Sequence, residues 1–127
     1  MKKTLILIFF SISLLVSFKS NAIDKSTTFT NEIFAEAQKA GKTVVINSWN
    51  KSCGTCAAQI KVLNEAEKKF KDVLFLSFEQ TKNKDIAKKL NVDFWTTILV
   101  YKGDKLVSKT MGQVDKSAIY SEIEKGI

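Results

Sequence analysis

The chain predicts an α/β domain, a central mixed β-sheet flanked by helices on both faces and completed by a C-terminal β-hairpin and helix. Three observations lead there. Thr43–Trp49 is β-branched and apolar on both faces, as a buried parallel strand is, and Val73–Phe78 is a second apolar run. Segments with apolar residues at helical spacing lie before, between and after these runs. Gly103-Asp104, a turn signal, separates Thr97–Lys102 from Leu106–Lys109, which read as an antiparallel hairpin. The order helix, strand, helix, strand, helix, hairpin, helix gives a mixed sheet covered on both sides.

From the N-terminus, Lys2 and Lys3 precede an apolar run from Leu5 to Phe18, and Ser20-Asn21-Ala22 offers small residues before a cleavage point. Residues 1–22 therefore read as a secretory signal peptide cleaved after Ala22, leaving a domain over 23–127. The run is shorter than the ~18 to 20 residues of a bilayer span; left uncleaved, the segment would act as an N-terminal membrane anchor. No cysteine stands near the cleavage point, so a lipid-anchored start is not expected.

Ile23–Thr28 is short and polar, an edge strand or a lead-in. Thr30 is placed to cap a helix, with Phe29 and Phe34 as a hydrophobic staple and Gly41 as the stop. A long helix is predicted from Cys53 to about Phe70, with Ile60, Leu63 and Phe70 on its apolar side and Lys61, Glu65, Lys68 and Lys69 on the other. A short helix follows from about Lys84 to Leu90, and Asp115 caps a last helix carrying Ile119 and Ile123. Phe29, Phe34, Phe70, Phe75 and Phe78 fall on inward faces. The pairs Lys68-Lys69 and Lys88-Lys89 read as solvated helix surface.

The length from Ile23 to Ile127 is enough for one domain with a single core and too little for two domains. Loss of Lys2, Lys3 and Lys19 leaves 17 lysines against 13 acids, a net charge of +4. Every basic residue is lysine, scattered among acids, which argues against a nucleic-acid site, where the planar guanidinium fork is favoured.

The chain's chemistry centres on Cys53-Gly54-Thr55-Cys56, on the seam between the first apolar strand and the long helix. A pair three residues apart closes almost no loop and is a poor structural staple, whereas an oxidising compartment lets it cycle between disulfide and dithiol. Cys53, at the start of the helix, is the expected nucleophile, because unpaired backbone N–H groups and the helix dipole favour its anion. Lys51 either adds to that field or is an exposed lysine without consequence. Cys56, one turn inward, is the expected resolving thiol. An inert pair and metal handling stand as other readings; a closed zinc site usually needs four ligands, and with no His and no further Cys one molecule alone cannot build it.

The element order, with Trp49 four residues before Cys53, the pair Cys53 and Cys56 at a strand-to-helix junction, the Trp95-Thr96-Thr97 step before the hairpin and Gly112 after it, resembles the thioredoxin family over nearly the whole domain. The resemblance implies a thioredoxin fold and an exported, monomeric thiol-disulfide oxidoreductase needing no cofactor and no resident metal. Its partners would be disulfide- or thiol-containing exported proteins and a membrane or periplasmic redox donor or acceptor, and its destination the bacterial periplasm. Trp49, Gly54, Thr55, Trp95, Thr96 and Asn47 would form the active-site loop and docking surface. Gly54 and Thr55 lie where the family tunes redox potential; thioredoxins carry Gly-Pro there and strong periplasmic oxidants Pro-His, so Gly-Thr leaves the direction of electron flow open.

Two departures from the family stand out. Asn47 occupies the position of a buried Asp that helps deprotonate the second cysteine, and an amide cannot take that proton. Periplasmic thioredoxins of the cytochrome c maturation type look similar here; alternatively Asn47 only hydrogen-bonds in the sheet. Thr96 stands where the family has a cis-proline, in a chain with no proline at all. A cis bond before a non-proline residue costs ~2.5 to 4 kcal/mol, so the loop either keeps that geometry or rearranges to trans. Either outcome bears on substrate docking and leaves a second reading, a binding module with little turnover. Trp95 is expected beside the disulfide as a platform, or else in the core.

Overall fold

The computed structural model describes residues 27–127, so the signal peptide read at 1–22 and most of the lead-in at 23–28 lie outside the described residues. The elements run β1 (Thr27–Thr28), α1 (Asn31–Lys39), β2 (Thr43–Trp49), α2 (Gly54–Lys69), β3 (Leu74–Glu79), α3 (Lys84–Lys89), β4 (Thr97–Lys102), β5 (Lys105–Met111) and α4 (Lys116–Glu124). They form one five-stranded sheet in the order β1-β3-β2-β4-β5. β1 and β2 pair parallel with β3, while β4 runs antiparallel to both β2 and β5.

The period-2 alternation of β2 and β3 builds a core on each face. Val44 and Ile46 of β2 join Leu74, Leu76 and Phe78 of β3 beneath α1 and α3, with Phe29, Phe34, Ala87 and Leu90 filling the layer. Val45 and Phe75 point the other way, under α2 and α4, and pack with Leu63, Ala66, Ile98, Val100, Ile119 and Ile123. Asn47 shares its strand face with Val45, so its amide is carried under α2.

Local chemistry accounts for the helix boundaries. The Thr30 hydroxyl accepts from Ile33 N–H at 3.1 Å, and the Phe29 and Phe34 rings meet at 5.4 Å, as the staple pattern predicts. At its other end α1 stops on Gly41, whose φ of +67° suits a residue without Cβ; Gly41 N–H bonds the Gln38 carbonyl and Lys42 N–H that of Ala37. Asp115 caps α4 through Ala118 N–H at 2.8 Å.

Several details differ from the sequence expectations. β3 is Leu74–Glu79, one residue later than predicted, because the turn at residues 71–73 leaves Val73 buried but outside the ladder. β5 extends from Lys105 to Met111, beyond the predicted Leu106–Lys109, since its pairing with β4 continues to Thr97↔Met111. The buried residues of α2 are Cys56, Gln59, Leu63 and Ala66, so Gln59 is fully inside and Ile60 and Phe70 are half-buried.

Candidate active site

The site is built where β2 ends and α2 begins. Asn50 starts the turn: its side-chain oxygen accepts from Ser52 N–H at 3.0 Å and its carbonyl from Cys53 N–H at 3.2 Å. Cys53 is the N-cap of α2, in extended conformation (φ −102°, ψ 109°), and not its first helical residue. Its Sγ accepts the Cys56 N–H at 3.0 Å, so a backbone donor of the first helical turn is aimed at the sulfur. Cys53 and Cys56 are joined in a disulfide with Cα atoms 5.2 Å apart. Cys53 is half-buried and Cys56 is 2% exposed, so Cys53 is the more accessible of the two.

Facing the sulfurs is the loop before β4. It is pinned to β2 by Thr96 N–H bonding the Ser48 carbonyl at 2.8 Å and by the Ser48 and Thr97 hydroxyls donating to the Phe94 carbonyl at 3.2 and 2.7 Å. No cis peptide occurs among the described residues, so Trp95–Thr96 is trans, the second of the two expected outcomes. Thr96 instead takes φ +65°, a left-handed conformation that is an outlier for a β-branched residue and costs of order 1–3 kcal/mol. That backbone turns the hydroxyl onto the disulfide: Oγ1 lies 3.1 Å from Cys56 Sγ and 3.4 Å from Cys53 Sγ. Gly112, at φ +71°, crosses from the hairpin so that its N–H meets the Thr96 carbonyl at 2.8 Å.

Behind the sulfurs lies an uncharged polar network. Asn47 Nδ2 donates to Gln59 Oε1 at 2.6 Å, and Gln59 Nε2 donates to the Thr96 carbonyl at 3.2 Å and the Gln113 carbonyl at 2.8 Å. Asn47 is thus a hydrogen-bond donor beneath the redox pair. Trp49 and Asn47 also line a cavity of about 210 Å³ between α2, β2 and β3, with Ile60, Asn64, Phe75 and Ser77.

The remaining predicted residues sit on the rim. Gly54 and Thr55 are exposed between the cysteines, and Lys51 is exposed on the turn before them. Trp95 is 45% exposed and so is not a core residue. Phe94, Met111 and Val114, which the sequence reading did not single out, are also exposed, on the loop and strand ends adjoining Thr96 and Gly112. Gln59 was missed as well; its one signal is a polar residue three after Cys56, in phase with Leu63 and Ala66.

A disulfide thus caps a helix at the carboxyl end of a central strand, with a hydroxyl over both sulfurs. The Thioredoxin family model matches residues 22–125, and the chain belongs to the thioredoxin family. That family is one of thiol-disulfide oxidoreductases, and Cys53 and Cys56 are its active-site cysteine pair in this chain. The chain is similar to the chloroplastic thioredoxin F-type of Pisum sativum, 33% identical over 72 residues covering 56% of this chain and 40% of that protein. It is 34% identical over 77 residues to the thioredoxin H-type of Oryza sativa subsp. indica, covering 61% of this chain and 63% of that protein. The chain thus spans less than two thirds of these two relatives. Among solved structures, mitochondrial thioredoxin 3 of Saccharomyces cerevisiae in its oxidized form aligns with a TM-score of 0.69 at 25% identity, covering 78% of this chain and 93% of that one.

Proposed function

We propose that the protein is an exported thiol-disulfide oxidoreductase that exchanges the Cys53–Cys56 pair with disulfides or thiols of other exported proteins. One observation carries the reading: the half-buried Cys53 sulfur accepts a backbone N–H at a helix start while Cys56 is enclosed behind it. In the reductive direction, Cys53 thiolate attacks a substrate sulfur, an intermolecular S–S bond forms and the first substrate thiolate leaves. Cys56, after losing its proton, attacks Cys53 Sγ; the second substrate sulfur departs and the enzyme disulfide closes. Two electrons and two protons pass to the substrate, and the reverse sequence oxidises a dithiol.

Export rests on Lys2, Lys3, the Leu5–Phe18 run and Ser20-Asn21-Ala22. A membrane or periplasmic dithiol donor or acceptor would reset the pair, with the protein acting as a monomer. Insulin disulfide reduction tests the activity: turnover well above a dithiothreitol blank, lost in Cys53→Ser, supports it, and a rate equal to the blank rejects it. The left-handed Thr96 in place of the family's proline favours a second reading, a binding module. Capture of partners by a Cys53→Ser/Cys56→Ser double variant would favour that reading.

A further inference from the structure

We propose that Gln59 is a positioning residue of the redox centre, tying the Thr96 loop to helix α2 so that the Thr96 hydroxyl stays over both sulfurs. Gln59 is fully buried, and all its polar capacity is directed at the site: its two amide hydrogens go to the Thr96 and Gln113 carbonyls, and its oxygen takes the Asn47 amide. A glutamine enclosed in this way, among apolar helix neighbours, would be replaced at little cost by leucine or methionine if it only filled space. Its placement is specific. One helical turn separates it from Cys56, so the helix that carries the sulfurs also grips the loop that faces them.

Thr96 needs such a grip because its left-handed backbone persists only where the surroundings over-determine it. Ser48 holds its N–H and Gly112 its carbonyl, but those contacts fix the loop to the sheet; Gln59 alone of these residues fixes it to α2. In the reduced protein the hydroxyl donates to a thiolate, a charge-assisted bond stronger than any it makes to a disulfide sulfur. Gln59 therefore favours the dithiol form through Thr96 without touching either sulfur.

The inference rests on the exchange chemistry proposed above, but the redox equilibrium with glutathione reads the pair itself, whether or not a protein substrate is turned over. Wild-type protein that equilibrates with glutathione yet leaves insulin intact would reject the oxidoreductase reading and leave this one standing. Thr96→Val should favour the disulfide by roughly tenfold, about 30 mV toward more reducing potential. Gln59→Met should shift it in the same direction, and Gln59→Met on the Thr96→Val background should add nothing, because both changes remove one contact. Gln59→Asn, which keeps a buried amide too short to reach both carbonyls, gives a second test if the methionine variant does not fold. A folded Gln59 variant with unchanged equilibrium, or a shift that adds fully to that of Thr96→Val, would overturn the proposal. Failure of both Gln59 variants to fold would make Gln59 a framework residue and overturn it too.

Discussion

Cys53 owes its character to a backbone N–H and a helix start, since its partners are the Cys56 amide and a threonine hydroxyl. These favour a thiolate on Cys53, while Cys56 is enclosed and carries no carboxylate behind it. In the reduced protein, iodoacetamide should label Cys53 at least about tenfold faster than Cys56 at pH 7; faster labelling of Cys56 would reverse the assignment of nucleophile. Asn47→Asp makes a sharper test of the polar network. The amide it replaces donates to Gln59 Oε1, and Gln59's own hydrogens are committed to Thr96 and Gln113, so an ionised carboxylate in its place would set oxygen against oxygen. The buried carboxyl should keep its proton above the ordinary aspartate range. Its folded-state pKa would then exceed its unfolded value, so the variant should lose stability as pH rises above about 4, by ~1–3 kcal/mol near neutrality. Release of a mixed disulfide at pH 7 should not accelerate. Denaturant titrations at pH 4 and pH 7 giving equal stability would contradict this.

The cysteines, Trp49 and the Thr96 departure were legible because each is a residue type at a fixed spacing. Gln59 was not, because a glutamine in a lysine- and glutamate-rich helix reads as surface. The carbonyls that satisfy it lie 37 and 54 residues away in sequence, which no local pattern reveals.

At the scale of elements, helix starts were the most legible feature, since capping is a short-range contact. Removing the Thr30 cap with Thr30→Ala should cost ~1 kcal/mol, read as a lower urea midpoint at unchanged slope. The Asp115 cap adds a pH dependence. The Ala118 N–H, with the Ser117 hydroxyl, holds the Asp115 carboxyl below its usual range. A lowered folded-state pKa gives stability that is complete above the unfolded value and lost as pH falls through the folded one. Asp115→Asn should therefore flatten part of the acid side of the stability profile below about pH 4, and an unchanged slope there would refute the contribution. Strand limits were less legible. β3 and β5 end where their neighbours stop pairing, as in the Thr97↔Met111 partnership, and that is a property of the sheet and not of either segment.

For the whole molecule, the alternation of Val44, Val45 and Ile46 gives one strand a core layer on each face of the sheet, while its last residues carry the site. The mixed sheet with helices on both faces was legible because that alternation and the hairpin turn are both local. The exposure of Phe94, Met111 and Val114 was not, because nothing in their local sequence distinguishes them from core residues. Trp95→Ala should slow insulin reduction several-fold while leaving the glutathione equilibrium unchanged, if the rim serves protein docking; equal losses in both would place Trp95 in the redox chemistry itself.

In the proposed exchange Cys53 attacks and Cys56 resolves. Trapping tests it most directly: reduced Cys56→Ser protein, mixed with a disulfide-containing peptide and quenched in acid, is digested and read by mass spectrometry. A stable mixed disulfide should form on Cys53, with Cys53→Ser giving little adduct under the same conditions. Accumulation on Cys56 in the Cys53→Ser protein, with none on Cys53 in the Cys56→Ser protein, would contradict it.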